Sequence, residues 1–141
     1  MSATIPESHI DLIEGPVFAI LTTIAADGLP QNTVMWCSWD GDQVLVNTGG
    51  STKKVKNIRS NPKVALIAVD PENPFRWVDV RGEVESIRED TDFENINSHA
   101  KLYMNVDEFY GNAAPIEQKG KEERVVLRIT PKQVFAYPPP G

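Results

Sequence analysis

The sequence predicts a mostly β domain, an antiparallel barrel or sandwich of six to seven strands with two or three short helices. The chain has 141 residues, and its 11 prolines and 9 glycines are typical of many turns and short strands. Apolar, β-branched runs of strand length recur between the turn signals. The predicted strands do not alternate with helices, so the sequence does not indicate a parallel sheet. We expect one domain, residues 1–141, with a single core.

A short helix and a three-stranded meander are predicted at the start of the chain. Thr4 precedes apolar positions in the segment 10–13, which indicates a capped helix that ends at Gly15. Asp27-Gly28 and Asp40-Gly41-Asp42 are signals for tight hairpin turns. The strands joined by these turns are predicted over residues 17–25, 31–39 and 43–48.

The remaining strands are predicted from buried or alternating patterns. Residues 63–69 are continuously apolar after the lysine, and residues 76–87 alternate between a polar and an apolar face. Gly82 lies in the apolar row, where glycine indicates a bulge or a close approach of another backbone or a ligand. Two further runs, 124–129 and 133–137, form one broken strand or two adjacent strands, with the break at Pro131.

An amphipathic helix is predicted over residues 90–106, capped by Asp90 or Thr91. Its apolar face is expected to consist of Phe93, Ile96, Ala100 and Met104. The segment 111–123 that follows is expected to be the most mobile loop.

Composition excludes several classes of function. The net charge of -6 argues against general nucleic-acid binding. The lone Cys37 excludes an internal disulfide and a multi-cysteine metal site. No apolar run approaches the roughly 20 residues that cross a bilayer, and the first ten residues lack the pattern of a signal peptide. We therefore expect a soluble, cytoplasmic protein without a membrane partner.

Motifs of self-contained catalysis are missing from the sequence. His9 and His99 lie in no metal-binding motif, so the sequence predicts no metal site, and the signatures of nucleophile elbows, phosphate loops and dinucleotide folds are absent. Cys37 is either a nucleophile or, between Trp36 and Trp39, an inert core thiol. If the protein is an enzyme, a cofactor supplies the reactivity.

Residues 47–66 predict an anion site at the start of a helix. A strand end, a glycine pair, hydroxyls and lysines meet where free backbone N–H groups and the positive end of the helix dipole attract a phosphate. Ser51 and Thr52 offer hydroxyls, and Lys53 and Lys54 offer charge. The alternative interpretation is a capped surface helix with solvated lysines.

The second strand offers an aromatic and apolar surface next to this anion site. Val34, Met35, Trp36 and Trp39 could hold a flat heteroaromatic ring, and the third strand leads from that surface to the lysines. A ring, a polyol linker and a phosphate are the parts of flavin mononucleotide (FMN). The alternative is that the tryptophans are core residues or anchors of a dimer interface.

Residues 8–137 resemble the pyridoxamine 5'-phosphate oxidase-like family of flavin-binding split β-barrels. The resemblance is carried by the block PQNTVMWCSWDGDQVLVNTGGSTKKVKNIRSNPKVAL and by VDVRGEVESI, which is similar to the family's V-x-G-x-V-E strand. It implies a split β-barrel and a homodimer with two cofactor sites at the subunit interface. It also implies that Gly82 and its neighbours face the cofactor of the partner subunit. The implied cofactor residues are Thr33, Val34, Met35, Trp36 and Cys37 along the ring, Asn47 and Thr48 at the ribityl and phosphate region, and Ser51, Lys53 and Lys54 at the phosphate.

Departures from the family pattern argue against pyridoxamine phosphate oxidase activity. The second strand lacks the arginine and lysine of the family's R-V-V-L-L-K segment, and the C-terminal tryptophan and arginine motifs are absent. The short chain, with W-x-x-W-D-G-D and D-P-x-N-P-[FY]-R patterns, is similar to the branch with many deazaflavin-dependent reductases. That branch uses coenzyme F420, whose acidic tail could meet Lys56 and Arg59, although both side chains could equally point to solvent.

Two hypotheses for the function follow. The first is a flavin- or deazaflavin-dependent oxidoreductase that reduces an unidentified small molecule and has no assigned catalytic acid or base. The second is a non-enzymatic module that binds a flavin or a tetrapyrrole and carries electrons or sequesters the ligand.

Overall fold

The structure is a computed structural model and describes residues 3–141. One antiparallel sheet of seven strands is accompanied by three helices, so the predicted fold class is confirmed. The helices are α1 (Asp11–Glu14), α2 (Lys53–Ser60) and α3 (Glu94–Met104). The strands are β1 (Ala19–Ile24), β2 (Pro30–Met35), β3 (Ser38–Trp39), β4 (Val44–Gly49), β5 (Lys63–Val69), β6 (Trp77–Glu89) and β7 (Arg124–Tyr137).

The sheet closes on itself through the chain between β2 and β3. The strand order is β2-β1-β5-β6-β7-β4-β3, so β2 and β3 are the two edges, yet only Trp36 and Cys37 separate them in sequence. Two residues cannot span an open sheet of this width, so the sheet curls and its edges meet. The side chains that fill the barrel are apolar and almost fully buried, among them Leu21, Leu66, Val80, Leu127 and Ile129.

The predicted meander is wrong in one pairing. β1 and β2 form the expected hairpin, and β3 and β4 form another around Gly41, but β4 pairs with β7 and not with β2. The predicted strand 31–39 is two strands on opposite edges of the sheet. Tyr103 stabilises the break, because its hydroxyl donates to the Val17 carbonyl (2.7 Å) and accepts from the Cys37 N–H (3.0 Å).

The irregularity predicted at Gly82 is confirmed. The register between β6 and β7 shifts between Arg81 and Gly82, and Pro131 lies opposite Gly82. A Cβ at Gly82 would collide with the carbonyl oxygen of Thr130, so the two backbones approach closely there. β7 is one continuous strand, and Pro131, which lacks an N–H, is accommodated at the register shift.

The helices follow the predictions with two corrections. α1 begins at Asp11 without a side-chain cap, so Thr4 does not cap it. Asp90 does stabilise the start of α3: it accepts hydrogen bonds from the backbone N–H groups of Asn95 (2.8 Å) and Ile96 (2.9 Å). Met104 is 43% exposed, since α3 ends there, and His99 is buried on the inner face beside Ile96 and Ala100.

Candidate functional site

A pocket of about 280 Å³ lies between the end of β2 and helix α3, and we call it the α3 pocket. Its walls come from distant parts of the chain, and most of them are apolar or aromatic. Only three polar residues, Asn47, His99 and Arg124, line it. The apolar lining consists of Phe18, Val34, Met35, Trp36, Ile96, Phe109 and Ala113.

Trp36 is held in the wall of the α3 pocket by other aromatic rings. It stacks on Tyr103 of α3, with ring centroids 5.2 Å apart and an angle of 15° between the planes. Phe109 meets it edge to face at 6.0 Å. One face of the indole is therefore covered by the protein, so Trp36 also serves as a packing residue between β2 and α3.

Asn47 is fully engaged by its neighbours. Its side-chain NH₂ group donates to Asp90 and to Asn95, both at 2.9 Å, and its carbonyl oxygen accepts from Nε of Arg124 at 3.0 Å. Both amide hydrogens are used, so in this structure Asn47 has no donor left for a ligand. What it does is link α3 to β7 and fix the guanidinium of Arg124.

His99 differs from Asn47 because half of its hydrogen-bonding capacity is unused. The side chain is 1% exposed, and Nε2 lies 2.9 Å from the hydroxyl of Ser38. Within residues 3–141, Nδ1 of His99 is the one buried side-chain nitrogen or oxygen without a partner. Burial lowers the pKa of His99 to about 4, with a smaller opposite effect from the charge of Asp90, so the imidazole is neutral at pH 7.

Lys54 and Arg124 form a cationic cluster beside the α3 pocket. Nζ of Lys54 donates to the Thr48 hydroxyl at 3.0 Å, and Arg124 donates to Glu122 at 2.9 Å. Burial, and next the charge of Arg124, lower the pKa of Lys54, while Glu122 opposes them. The Arg124 side chain is only 10% exposed, and its guanidinium lies 5.0 Å from the ring centroid of Phe109. Two cations thus share one carboxylate, which leaves a local surplus of positive charge.

Ser51 and Lys53 lie on the opposite side of the start of α2. Both are exposed and line an open hollow of about 570 Å³, together with Thr52, Lys56 and Asn57. The Thr52 hydroxyl donates to the Gly49 carbonyl at 2.8 Å, so it is already in use. The helix start predicted as an anion site therefore has two sides, with Lys54 turned toward the barrel and Lys53 toward solvent.

The other predicted site residues lie in three different parts of the fold. Thr33 is half-buried in the same row of β2 as Met35. Cys37 is buried in the core, where burial raises the pKa of its thiol to about 11 and its Sγ contacts the Ile13 carbonyl. Gly82 lines a third hollow, of about 520 Å³, with Lys63, Arg81 and Lys132. Of the predicted residues, then, Val34, Met35, Trp36 and Asn47 line the α3 pocket, while Ser51 and Lys53 share the separate hollow at α2.

His99 and Arg124 are the two polar residues of the α3 pocket that sequence reasoning missed. His99 stands three residues after Ile96 and next to Ala100 on a predicted helix, a spacing that places it on the apolar face. Arg124 opens an apolar strand, and its neighbour Asn47 lies 77 residues away in the chain. The helical spacing of His99 was a detectable signal of burial, whereas the residues around Arg124 give no sign of its role.

Two further features are absent from residues 3–141. No group of three or more histidine, cysteine or acidic side chains in that range is arranged to hold a metal ion. No helix in the same range is long and apolar enough to cross a membrane.

Barrel closure, the bulge at Gly82 and a cationic helix start beside an aromatic pocket define a split β-barrel with a candidate ligand site. The chain belongs to the pyridoxamine 5'-phosphate oxidase family, whose profile matches residues 5–137. The resemblance found in the sequence is thereby confirmed. No curated protein matches the chain.

Solved structures share the fold over nearly the whole chain. An F420 reductase is 31% identical, with a TM-score of 0.79, and the match covers 93% of this chain and 98% of that one. A conserved hypothetical protein from Mycobacterium tuberculosis is 23% identical, with a TM-score of 0.71 and coverage of 96% and 86%. General Stress Protein 26 from Bacillus anthracis is 23% identical, with a TM-score of 0.64 and coverage of 92% and 90%.

Proposed function

We propose that this protein is an oxidoreductase that binds a phosphorylated flavin-type cofactor, FMN or the deazaflavin F420, and reduces a small molecule. The observation that carries this proposal is the cationic cluster of Lys54 and Arg124. A half-buried lysine and a largely buried arginine that share one carboxylate are stabilised by an added anion. A phosphate at the start of α2 would supply that charge and would also accept from the free backbone N–H groups of the helix.

The residues present fit a cofactor with an anionic end and a planar end. Lys54 and the Thr48 hydroxyl would hold the phosphate, and Met35 and Thr33 of β2 would line the ring. The ring, when bound, supplies hydride transfer. The chain's own residues bind, orient and exclude water, and we assign none of them as an acid or base.

F420 is favoured over FMN by two observations. The F420 reductase is 31% identical to this chain over 93% of its length. Lys56 and Arg59 are exposed on α2 beyond the predicted phosphate position, where a longer acidic tail could reach them. FMN lacks such a tail.

A homodimer is supported by an apolar patch on the outer face of the barrel. Val34, Ile20 and Phe135 are 64%, 39% and 47% exposed. The strand register aligns them in one row with Ile67 and Asp79 between Ile20 and Phe135. An exposed row of this kind across neighbouring strands is typical of an interface. Val34 also lines the α3 pocket, so a second subunit on this patch would lie next to the cofactor.

An absorbance and binding experiment tests the proposal. Purified protein is titrated separately with FMN and F420, and the bound chromophore identifies itself by its spectrum. We expect micromolar or tighter affinity for at least one of them and turnover of reduced cofactor with a panel of small acceptors. Failure to bind either cofactor at micromolar concentration would contradict the proposal. Binding without turnover on any acceptor would favour the electron-carrying or sequestering module.

A further inference from the structure

We propose that the α3 pocket is the substrate site and that Arg124 binds the carboxylate of a small, planar, aromatic monocarboxylate there. This inference rests on the proposed function, because it places the substrate against the ring-lining residues of β2. Two different cations then hold the two anions of the complex. The cofactor phosphate lies with Lys54 and the Thr48 hydroxyl at the start of α2, and the substrate carboxylate lies with Arg124 at the α3 pocket.

The guanidinium of Arg124 lies in the wall of the α3 pocket. Its Nε donates to the side-chain oxygen of Asn47 at 3.0 Å, and the centroid of the Phe109 ring lies 5.0 Å from its Cζ. Asn47 and Phe109 line the pocket themselves, as Arg124 does. The cation is therefore held between two residues of the pocket wall.

Three of the five N–H groups of this guanidinium have no partner among residues 3–141. Asn47 takes the one on Nε and Glu122 takes one of the two on Nη1, which leaves one on Nη1 and both on Nη2. Nη2 is also accessible, because Nδ1 of His99 is the one buried side-chain nitrogen or oxygen without a partner in that range. Free N–H groups on a planar cation suit a carboxylate, which accepts charge-assisted hydrogen bonds in the same plane.

Arg124 is the one charged residue among the described residues that line the pocket. The other two polar lining residues are Asn47 and His99, and burial lowers the pKa of His99 so far that its ring is uncharged at pH 7. The Arg124 side chain is only 10% exposed, so salt screens its charge weakly. Of the carboxylates nearby, Glu122 is 39% exposed to water, and the oxygens of Asp90 already accept from three N–H groups. An anion in the pocket is therefore attracted to Arg124 at short range.

The rest of the wall limits the size and shape of the ligand. The pocket volume of about 280 Å³ equals that of about nine bulk waters, which fits one or two fused rings but not the four pyrrole rings of a tetrapyrrole. Trp36 and Phe109 meet edge to face at 6.0 Å and give the pocket an aromatic wall. A flat apolar ring fits this wall, and the single cation of the lining fits one carboxylate.

A matched pair of ligands separates the carboxylate from apolar burial. 2-Naphthoate and 2-naphthamide have the same bicyclic skeleton, and only the first is an anion at pH 7. The ratio of their dissociation constants, measured by calorimetry, gives the preference for the carboxylate. We expect the wild type to prefer 2-naphthoate and this preference to fall about tenfold or more in Arg124→Gln.

Arg88→Gln is the control for that variant, because it removes an exposed arginine of β6 that does not line the pocket. It should leave the ratio of the two dissociation constants unchanged. A wild type that does not prefer 2-naphthoate would overturn the proposal. So would an Arg124→Gln variant that keeps the preference, or an equal loss in Arg88→Gln.

Glu122→Gln tests the same cation with the opposite sign. A glutamine at this position can still accept from Nη1 of Arg124, but the competing negative charge is gone. We expect 2-naphthoate to bind a few-fold more tightly and 2-naphthamide to bind as before. Since Glu122 is 39% exposed, this variant should fold even if Arg124→Gln does not. Weaker binding of 2-naphthoate, or an equal change for both ligands, would contradict the proposal.

The cofactor phosphate is the other anion that Arg124 could hold, so both ligands are also measured in the presence of FMN and of F420. We expect 2-naphthoate to bind the cofactor-loaded protein, and Arg124→Gln to weaken cofactor binding less than it weakens 2-naphthoate binding. Displacement of 2-naphthoate by the cofactor would assign Arg124 to the phosphate, which overturns this inference and leaves the proposed function standing. Failure of both FMN and F420 to bind would overturn the proposed function, and with it the role of this pocket as a substrate site, even where 2-naphthoate binds.

Discussion

The start of α2 and the α3 pocket are built in opposite ways. At α2, the groups that would bind an anion are, apart from Arg124, neighbours in sequence, and Ser51, Lys53 and Lys56 are exposed to solvent. In the α3 pocket, residues from β2, β4, α3 and β7 meet, and the polar side chains of Asn47 and His99 are buried. The contrast teaches that a local binding element tolerates change with little effect on folding, whereas a site assembled from distant segments is coupled to stability.

Removal of Asp90 should cause the largest loss of stability, and the loss should arise in the α3 region alone. Asp90 is buried, holds Asn47 and accepts from two N–H groups at the start of α3, so Asp90→Ala leaves three donors without a partner. We expect a loss of about 4 kcal/mol in the free energy of unfolding, measured by urea denaturation. Glu89→Ala removes a neighbouring exposed carboxylate and should change stability by less than about 0.5 kcal/mol. An equal loss in both variants would remove the distinction between the two regions.

Acidification should destabilise the α3 region through His99. Its pKa is about 4 in the folded protein and 6.5 in an unperturbed chain, so the unfolded state binds more protons between these values. The contribution of His99 to the free energy of unfolding is fully present above pH 6.5. It falls by about 3 kcal/mol as the pH drops toward 4. Denaturation curves from pH 7 to pH 4 test this. His99→Phe should show a correspondingly shallower loss, and an identical pH dependence in both proteins would contradict the assignment.

The paired change Lys53→Ala and Lys54→Ala should weaken cofactor binding without unfolding the protein. We expect at least a tenfold loss in affinity for the phosphorylated cofactor, or about 1.4 kcal/mol, measured by fluorescence or calorimetry. The single variants sharpen the comparison of the two sides of α2, since Lys54 faces Arg124 and Lys53 faces solvent. Lys101→Ala on α3 is the control for loss of an exposed lysine. Unchanged affinity in the double variant would show that the phosphate lies elsewhere.

Loss of Lys56 and Arg59 together should have the smallest effect on cofactor affinity, and the size of that effect should differ between F420 and FMN. Both side chains are exposed, so each contact with an acidic tail contributes less than about 1 kcal/mol. We expect a few-fold loss in affinity for F420 that disappears at high salt, and no change for FMN. An equal loss for both cofactors would indicate that these residues act on the phosphate and not on a longer tail.

Much of the fold could be read from local patterns, and the failures share one cause. The turn at Asp27-Gly28, the strand at Lys63–Val69 and the irregularity at Gly82 were predictable because turn dipeptides and residue periodicity act locally. The pairing of β4 with β7 was not, because it joins segments about 80 residues apart and depends on barrel closure. A two-residue break after Met35 looks, in sequence, like the continuation of a strand.

In the candidate site, too, the residues with a local signal were predictable and those placed by distant contacts were not. Lys53, Lys54, Ser51 and the ring-lining residues of β2 were identified because each lies within a short recognisable segment, and their roles remain predictions. Arg124 was missed, since nothing near it in sequence shows that Asn47 and Glu122 hold it beside Lys54. The absence of a metal motif around His99 gives no role to this residue, although its place on the apolar face of a helix indicates burial.

By itself, the sequence determined the class of fold, the family and the chemistry of the helix start, because these depend on periodicity, turns and contiguous motifs. Only the tertiary structure decided which side of α2 each lysine faces and that Asn47 is already satisfied. It also decided that Nδ1 of His99 is left without a partner. The physical reason is that hydrogen-bond satisfaction and desolvation are properties of neighbours in space, and in this barrel those neighbours come from opposite ends of the chain.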